Sequence, residues 1–500
     1  MNLTMLLDMA AEGLPDRMLI GDVATGLSGE QLRNRALGGS SVVAESGADV
    51  VVFLGGNGPA FPVALFASAY AGRPFLPVNY RLSDEQLLEI IARQQNPLVI
   101  TDTPERVGDV RTMTVEDFVA AASAADPVDL GLTDFDDDAI AVLLMTSGTT
   151  AAPKSAVLRH RHLTAYILGS VEFASAEPGD ATIVSVPPYH IAAVANLLSN
   201  MYAGRRIFYL DAFTAVEWLN HVRAQSITQA MVVPTMLVRI VEELQHRGED
   251  APTSLRSISY GGAKISPHVL AKALELFKDT GFVNAYGLTE TASSIAVLGP
   301  DDHREAMASS DPAVRARLGS VGRALPAVEI EVLDDDGNIA APGVVGDIVV
   351  RGEQVAGEYL EAGSGLDAGG WFRTRDRGYI DDEGFIFVQG RADDTIIRGG
   401  ENIAPSEVEA VLGEHESVND CAVAGVPDEE WGQRIAAFVV LEPGAAPDEA
   451  ALRDFIRAKL RSSKTPDEII FLEELPTTPT GKVLRRNLVQ MAIERNFSRQ

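Results

Sequence analysis

The chain reads Ala139-Ile140-Ala141-Val142-Leu143-Leu144-Met145-Thr146-Ser147-Gly148-Thr149-Thr150-Ala151-Ala152-Pro153-Lys154-Ser155, a short apolar segment followed by a loop of small hydroxylated residues that ends in a lysine. Residues 139–144 are apolar and partly β-branched, which predicts a buried strand. The loop offers clustered backbone N–H groups and hydroxyls to an anion, and Lys154 adds a full positive charge. This combination predicts a phosphate-binding loop at the end of a strand.

Two other interpretations of the loop are open. Residues 148–155 nearly fit the nucleotide P-loop pattern G-x-x-x-x-G-K-[ST]. The fit fails at Pro153, because proline has no N–H to give to a phosphate and cannot take a positive φ. A solvated Ser/Thr turn without a ligand is the second alternative, and the loop alone does not exclude it.

Length and composition limit the class of protein. A chain of 500 residues with 46% hydrophobic residues predicts a globular protein of two or more domains. The net charge of −30 argues against nucleic acid or an anionic membrane surface as the main partner. An anionic substrate such as ATP would need local positive residues and a divalent cation against this background.

Cysteine content and the N-terminus bear on the cellular compartment. Cys421 is the one cysteine, so no intrachain disulfide can form, and its apolar neighbours predict a core position. Asp8 and Glu12 stand where a signal peptide would be apolar. No apolar run reaches the roughly 18 residues that span a bilayer. We therefore expect a protein of the reducing cytoplasm.

Short apolar runs alternate with helical patterns over the first four hundred residues. We predict strands at 49–54, 97–100, 207–210, 230–233 and 257–260, and a helix at 59–71. This alternation predicts layered α/β structure with largely parallel sheets. Residues 328–333 alternate strictly, turn at 334–338 and return at 348–350, which predicts an antiparallel hairpin in a small β-barrel-like part.

The pattern restarts after residues 390–394, the best candidate for a domain boundary. We predict a helix from Pro405, a strand at 421–426, a helix at 448–460, a strand at 468–472 and one more helix after Lys482. About a hundred residues with this pattern predict a compact α+β domain.

Seven further motifs, in order, give the chain a resemblance to the adenylate-forming superfamily of acyl-CoA synthetases, adenylation domains and luciferases. It is most similar to the stand-alone acyl-CoA ligases. The motifs include Pro77-Val78-Asn79-Tyr80-Arg81-Leu82-Ser83, Tyr286-Gly287-Leu288-Thr289-Glu290, Trp371-Phe372-Arg373-Thr374-Arg375-Asp376 and Gly481-Lys482. In this family a proline before the loop lysine is expected. The resemblance implies an N-terminal adenylation domain (1–391), a hinge (392–394) and a mobile C-terminal domain (395–500).

The resemblance assigns residues to ATP. The phosphate contacts would come from Thr146, Ser147, Gly148, Thr149, Thr150 and Lys154. Thr289 would donate to phosphate oxygens and Glu290 would bind Mg²⁺, because a hydroxyl beside a carboxylate suits such a site. The adenosine would contact Gly261, Gly262, Ala263, Asn284, Ala285, Tyr286, Gly287, Asp376, Ile380 and Arg391. Asp376 would accept hydrogen bonds from the ribose hydroxyls.

The resemblance also assigns the acyl and thiol sites. Lys482 would be the adenylation lysine and Asp393 the hinge residue. Arg398, Gly399 and Gly400 would form the loop that approaches the thiol, or a flexible loop before a helix. His190 would shape the acyl pocket, although a lone histidine is more often structural. Ile191, Ala195, Gly262 and Gly287 would line the same pocket.

We therefore predict an ATP-dependent carboxylic acid–CoA ligase that uses ATP, Mg²⁺ and coenzyme A, with a medium to bulky apolar (fatty, aromatic or polycyclic) acid as its partner. An acyl-AMP ligase that serves a carrier protein is one alternative. The other is a catalytically silent nucleotide-binding homologue, which is motivated by Ala151, Ser155 and Arg375, where the family has small residues. At 151 and 155 a side chain costs about 1 kcal/mol if the loop requires a positive φ.

Overall fold

The computed structural model describes residues 1–125, 136–146, 154–265, 267–398, 401–428, 431–478 and 482–497. Over these residues, no helix is both long and apolar enough to cross a membrane.

The helices and strands of the first two thirds of the chain build two large sheets. Residues 1–125 contain α1 (Leu3–Gly13), β1 (Met18–Ile20), β2 (Leu27–Ser28), α2 (Gly29–Ser46), β3 (Val50–Leu54), α3 (Ala60–Tyr70), β4 (Phe75–Pro77), α4 (Asp84–Ala92), β5 (Pro97–Thr101), β6 (Thr112–Met113) and α5 (Val115–Ala124). Residues 136–325 contain β7 (Ile140–Thr146), β8 (Lys154–Arg159), α6 (His160–Ser170), β9 (Ala181–Val184), α7 (Ile191–Ala203), β10 (Arg206–Tyr209), α8 (Ala215–Ala224), β11 (Gln229–Val232), α9 (Pro234–Arg247), β12 (Ser257–Gly261), α10 (Pro267–Leu276), β13 (Gly281–Leu288), β14 (Ser293–Leu298), α11 (Pro300–Ala308), α12 (Pro312–Ala316) and β15 (Arg323–Ala324).

The remaining strands form two smaller sheets, except β18 and β19, which extend the first large sheet. Residues 328–391 contain β16 (Val328–Leu333), β17 (Gly346–Gly352), β18 (Glu358–Tyr359), β19 (Gly363–Ser364), β20 (Phe372–Ile380) and β21 (Ile386–Arg391). Residues 396–497 contain β22 (Ile396–Arg398), β23 (Glu401–Ile403), α13 (Pro405–Leu412), β24 (Val418–Asp428), β25 (Gly432–Leu441), α14 (Glu449–Lys459), β26 (Glu468–Leu472) and α15 (Arg485–Phe497).

The first large sheet has the strand order β19-β18-β8-β7-β4-β3-β5-β6 within the described residues. β4, β3, β5 and β6 run parallel to their neighbours, whereas β7 and β8 pair antiparallel. The predicted phosphate loop therefore connects two antiparallel strands. A P-loop leads from a strand into a helix, so this topology excludes the P-loop interpretation.

The second large sheet has the order β15-β14-β13-β12-β11-β9-β10-β1-β2, counted over the same residues. β10, β9, β11, β12 and β13 are parallel, and antiparallel strands lie at both edges. This arrangement confirms the predicted layers of largely parallel α/β structure. A shared core joins the layers, and every residue of α3 is buried in it.

The hairpin predicted from the alternation at 328–333 is confirmed. β16 and β17 pair antiparallel, with Val328 opposite Gly352 and Leu333 opposite Asp347. They form a four-stranded sheet with β20 and β21 in the order β16-β17-β20-β21. This sheet is the predicted small β part, and it carries Asp376 and Arg391 on adjacent strands.

The small C-terminal domain follows the predicted order of helices and strands. β22 to β26 form one sheet, with α13 and α14 against one cluster of apolar side chains and α15 against another. Cys421 is only half-buried at the edge of this core, and its thiol donates to the carbonyl oxygen of Glu409 over 3.4 Å.

Candidate active site

Two adjacent parallel strands, β12 and β13, carry most of the predicted adenosine residues to one edge of a sheet, whereas Asp376, Ile380 and Arg391 lie on the small β sheet. Gly261 ends β12 and lies opposite Ala285 of β13. A side chain at 261 would place its Cβ 2.2 Å from the carbonyl oxygen of Ala285, so only glycine fits there. Gly262 follows with φ +83°. Because ligands of open α/β sheets bind outside the carboxyl ends of the strands, this edge is a suitable place for a flat heterocycle.

Asp376 lies at the centre of a buried polar cluster. Its side chain is 8% exposed, and its Oδ2 accepts a 2.7 Å hydrogen bond from the hydroxyl of Tyr286. Arg391, its register partner, lies 3.4 Å from Oδ1. Burial raises the pKa of Asp376, while Arg391, Tyr286 and Lys482 act in the opposite direction. The carboxylate is thus held in place by two partners from different strands.

Lys482 extends from the C-terminal domain toward this cluster. Its backbone N–H donates to Oγ1 of Thr478 over 3.0 Å, and its carbonyl oxygen accepts from the N–H of Thr478 over 2.8 Å. Desolvation and the charge of Arg391 lower the pKa of Lys482, although its side chain still reaches solvent. Asp376 and Arg391 are therefore in direct contact, and the charge of Lys482 acts on both of them.

Glu290 lies in a short 3₁₀ turn, Thr289–Thr291, immediately after β13. Its carbonyl oxygen accepts from the N–H groups of Ala356 and Gly357 over 2.9 and 3.0 Å. Its Oε1 accepts a 2.5 Å hydrogen bond from the hydroxyl of Tyr359. Both its backbone and its side chain are therefore fixed by the segment that contains β18.

Lys154 begins β8 on the other side of this segment. Its ammonium group lies 5.4 Å from the ring centroid of Tyr359, and its carbonyl oxygen accepts from the hydroxyl of Thr146 over 3.3 Å. The predicted phosphate residues Ser147, Gly148, Thr149 and Thr150 lie outside the described residues, as do Ala151, Gly399 and Gly400.

Ser155 does not carry the expected backbone cost. It lies inside β8 opposite Met145 and is not among the residues of positive φ. Its N–H and its hydroxyl each donate a 2.9 Å hydrogen bond to the carboxylate of Glu361. The serine therefore adds a contact rather than strain, which weakens one reason to suspect a silent homologue.

His190 precedes α7 and is half-buried beside Tyr189, with 4.6 Å between the ring centroids. Burial lowers the pKa of His190 to about 4, so the imidazole is neutral near pH 7. Its Nε2 is buried without a hydrogen-bond partner among the described residues, and so is the hydroxyl of Tyr189. A buried polar atom without a partner is costly unless a ligand or water satisfies it, so both atoms are candidates for a substrate contact. Ile191 and Ala195 follow on α7.

Two of the predicted residues have other partners. Arg398 donates to the carbonyl oxygen of Ser463 and to Asp467 within the C-terminal domain. These contacts give Arg398 a structural role there. Arg375 has φ +63°, and its guanidinium lies 4.0 Å from Asp393, the predicted hinge residue. Its side chain is 61% exposed.

A cavity of about 390 Å³ lies between the segment before His190 and the turn before Lys482. Its walls include Tyr80, Arg81, Ser185, Pro187, Arg239, Thr477 and Thr478. It therefore adjoins both the His190 segment and the turn that presents Lys482. The wall carries two arginines against one carboxylate, Asp211, and this local positive balance favours an anionic ligand in a chain of net charge −30.

The single carboxylate of Glu290 suits a Mg²⁺ ion that binds together with a phosphate ligand. No group of three or more His, Cys, Asp or Glu side chains able to hold a metal occurs in the part of the chain that the structure describes. Mg²⁺ is usually held by one or two carboxylates together with substrate phosphates and water. Glu290, with Oε1 bound to Tyr359, supplies one such carboxylate.

Sequence reasoning missed Tyr359 and Glu361. Glu361 contacts Ser155 across 206 positions and Tyr359 contacts Glu290 across 69. Neither pairing leaves a periodic pattern in the chain. The one signal was the serine at position 155, a departure that required a new polar partner.

Comparison with known proteins decides the family. A model of the AMP-binding enzyme family matches residues 7–360. The chain belongs to the AMP-binding enzyme family. A model of the AMP-binding enzyme C-terminal domain also matches, at residues 407–482.

Several relatives of this AMP-binding enzyme are similar over nearly the whole chain. A 2-succinylbenzoate–CoA ligase from Geobacillus kaustophilus is 34% identical, over 95% of both chains. A fatty acid–[acyl-carrier-protein] ligase, ScoC, from Streptomyces coeruleorubidus is 32% identical, over 88% of this chain and 86% of the relative. The solved structure of o-succinylbenzoate coenzyme A synthetase from Bacillus subtilis in complex with ATP and magnesium ion matches with a TM-score of 0.82 at 27% identity, over 97% of this chain and 98% of that chain.

These matches confirm the predicted superfamily, the α/β fold with a large N-terminal and a small C-terminal domain, and the enzyme class of AMP-forming acid–thiol ligases. The predicted use of ATP, Mg²⁺ and coenzyme A is likewise confirmed for this family. The assignment of individual residues to the site rests on their distances and hydrogen bonds in the structure.

Proposed function

We propose that this AMP-binding enzyme joins a carboxylic acid to coenzyme A in the cytoplasm, in two steps that consume ATP. The observation that carries this proposal is that the charge of Lys482, in the small domain, acts on the Asp376–Arg391 pair of the large domain. Lys482 would then cover a nucleotide that is bound by Asp376 and Arg391. The domain limits 1–391, 392–394 and 395–500 are part of the same proposal.

In the first step a carboxylate oxygen of the acid attacks the α-phosphorus of ATP. A bond forms between that oxygen and phosphorus, and the bond to pyrophosphate breaks. Asp376 would bind the ribose hydroxyls, which fixes the nucleotide, and Lys482 would offset the charge between carboxylate and phosphate. Lys154 and Thr289 would hold the phosphates. Mg²⁺ bound at Glu290 would offset the negative charge of the phosphate oxygens.

In the second step a thiol attacks the carbonyl carbon of the acyl-adenylate. The carbon–sulfur bond forms, the carbon–oxygen bond to AMP breaks, and the thiol proton passes to solvent. Rotation about Asp393 would withdraw Lys482 and bring the loop at Gly399 and Gly400 to the site. Closure of the small domain would protect the adenylate from water.

The acyl pocket would begin at His190. A neutral imidazole with an unpartnered Nε2 can donate to a carboxylate oxygen without adding a charge. Ile191 and Ala195 on α7 offer an apolar wall beyond it. These features support a medium to bulky apolar acid, fatty or aromatic. The names of the two similar ligases, one for 2-succinylbenzoate and one for fatty acids, support the same range.

Coenzyme A is the acceptor that the cavity beside Lys482 favours. Its adenosine phosphates would meet Arg81 and Arg239. A carrier protein remains the second candidate acceptor, because one of the similar proteins is a fatty acid–[acyl-carrier-protein] ligase.

The test is release of AMP and pyrophosphate from ATP across a panel of fatty, aromatic and polycyclic acids, with and without coenzyme A. We expect acid-dependent AMP formation that consumes coenzyme A and yields an acyl-CoA by mass spectrometry. The variant Lys482→Ala should lose adenylation by a factor of roughly 10²–10³, as expected for one charge-stabilising group. Pyrophosphate release without a thioester would favour the carrier-protein acceptor. Bound ATP that never yields AMP with any acid would contradict the ligase.

A further inference from the structure

We propose that Tyr359 is a positioning residue that holds the Glu290 carboxylate in place for Mg·ATP. This inference rests on the proposed function, since it takes Glu290 as the Mg²⁺ ligand and Lys154 as a phosphate ligand. Tyr359 lies between these two residues and contacts both of them.

The first contact fixes one oxygen of Glu290. The Tyr359 hydroxyl donates to Oε1 over 2.5 Å, and a hydrogen bond to a carboxylate is stronger than one between neutral groups. The carbonyl oxygen of Glu290 is also held, by the N–H groups of Ala356 and Gly357. With backbone and Oε1 both fixed, Oε2 has a defined direction. A metal ligand that is already oriented loses less conformational freedom when the ion binds.

The second contact concerns Lys154. Its ammonium group lies over the Tyr359 ring at 5.4 Å from the centroid, within the range of a cation–π interaction. The ring therefore limits where the ammonium can go. Through its hydroxyl and its ring, one side chain sets the separation between the carboxylate and the cation.

Tyr359 is itself held in place by its strand. It pairs with Ala156 of β8, and the N–H of Leu360 donates to the carbonyl oxygen of Ser155 over 2.9 Å. Glu361 then accepts two hydrogen bonds from Ser155. The segment 359–361 is thus fastened to β8, the strand that begins with Lys154. Because this segment is hydrogen-bonded to β8, the Tyr359 side chain can hold Glu290, which follows a strand of the other large sheet.

Two substitutions separate the two contacts. Tyr359→Phe removes the hydroxyl and keeps the ring, whereas Tyr359→Leu removes both. Calorimetry of ATP binding without any acid, in Mg²⁺ and in EDTA, reports binding without turnover. We expect Tyr359→Phe to weaken ATP binding about tenfold in Mg²⁺ and to leave binding in EDTA unchanged. Tyr359→Leu should weaken binding under both conditions.

Glu290→Ala completes a double-mutant cycle. In the Glu290→Ala background, Tyr359→Phe should have no further effect on ATP binding in Mg²⁺. The control is Tyr379→Phe, which removes a hydroxyl from a ring that stacks on Phe387 at 4.7 Å and should leave binding unchanged. Thermal unfolding of each variant shows whether it is folded.

The outcomes separate this inference from the proposed function. If the wild type forms AMP but Tyr359→Phe binds Mg·ATP as the wild type does, the inference is wrong and the function stands. The inference is also wrong if Tyr359→Phe weakens binding equally in the Glu290→Ala background. If the wild type binds ATP in a Mg²⁺-dependent and Tyr359-dependent way yet never forms AMP, the inference stands and the function fails. Binding of ATP that does not depend on Mg²⁺ would overturn the inference.

Discussion

The hydroxyl of Tyr286 donates a 2.7 Å hydrogen bond to Oδ2 of Asp376, which lies 90 positions further along the chain. The bond joins β13 of the second large sheet to β20 of the small β sheet. Burial makes the bond costly to lose, since the Asp376 side chain is only 8% exposed. The tyrosine and the proposed ribose ligand therefore act as one unit.

We predict that Tyr286→Phe weakens ATP binding several-fold and lowers the free energy of unfolding by about 1–3 kcal/mol, the usual result of leaving a buried acceptor without its donor. Calorimetry and urea unfolding measure the two effects. Tyr260→Phe is the control, because its hydroxyl contacts His303 at 2.9 Å. That variant should lose stability and keep its ATP affinity. Equal loss of ATP affinity in both variants would show that the effect is not specific to Asp376.

The cavity beside Lys482 gives a second prediction. Arg239→Ala removes one of two cavity arginines, and we expect KM for coenzyme A to rise about tenfold while KM for ATP stays within twofold, since a charge-assisted contact to phosphate contributes about 1.5–3 kcal/mol. Steady-state kinetics with the best acid of the panel measures both constants. Arg223→Ala, on the surface where Arg223 pairs with Glu249, is the matched control. A rise in KM for ATP instead would assign the cavity to the nucleotide.

Much of the fold could be predicted because local patterns carried it. Apolar runs marked β3 and β12, and strict alternation marked β16, so these elements were predicted within one or two residues. The parallel pairing of β3 and β12 follows from general rules for parallel sheets, and the antiparallel pairing of β16 follows from the turn after it. The predicted start of α14 was similarly close, because its N-cap residue Asp448 accepts a hydrogen bond from the N–H of Ala451.

The contacts within the site could be predicted only in part. Motifs supplied Asp376 and Glu290 individually, but the hydrogen bonds from Tyr286 and Tyr359 join distant segments. Such pairings depend on how sheets meet, which no local period encodes. Arg398 was likewise supplied by a motif, but its hydrogen bond to Asp467 joins segments 69 positions apart.

The backbone at Arg375 gives a third prediction. A φ of +63° is unfavourable for a residue with a Cβ, at a cost of roughly 1–2 kcal/mol, and glycine avoids it. The ion pair with Asp393 at 4.0 Å is exposed and contributes at most about 1 kcal/mol. We therefore expect the free energy of unfolding of Arg375→Gly, measured by urea unfolding, to exceed that of Arg375→Ala by about 1 kcal/mol. Both variants lack the ion pair, so the difference between them isolates the backbone. Equal stability would show that the left-handed conformation carries no strain.

Two buried histidines in the first turn of α6 give the last prediction, a pH-dependent stability. His160 is 3% exposed and its Nδ1 accepts from the N–H of Leu3 over 3.3 Å; His162 is 1% exposed and its Nδ1 accepts from the N–H of Arg159 over 3.2 Å. An imidazole accepts a hydrogen bond only when that nitrogen is unprotonated. Burial lowers the pKa of each histidine from 6.5 to about 4, and Asp136 acts in the opposite direction at His160.

The direction of the effect follows from proton binding. Between pH 6.5 and 4 the unfolded chain binds protons at these histidines and the folded chain does not, so stability rises with pH across this window and is lost as pH falls. The loss is on the order of 3 kcal/mol per histidine at most. Urea unfolding at pH 7.5 and pH 5.0 measures it. His162→Asn keeps an acceptor near the Nδ1 position and cannot titrate, so its stability should depend less on pH even if it is lower at pH 7.5. An unchanged difference between the two pH values in this variant would assign the acid sensitivity to other groups.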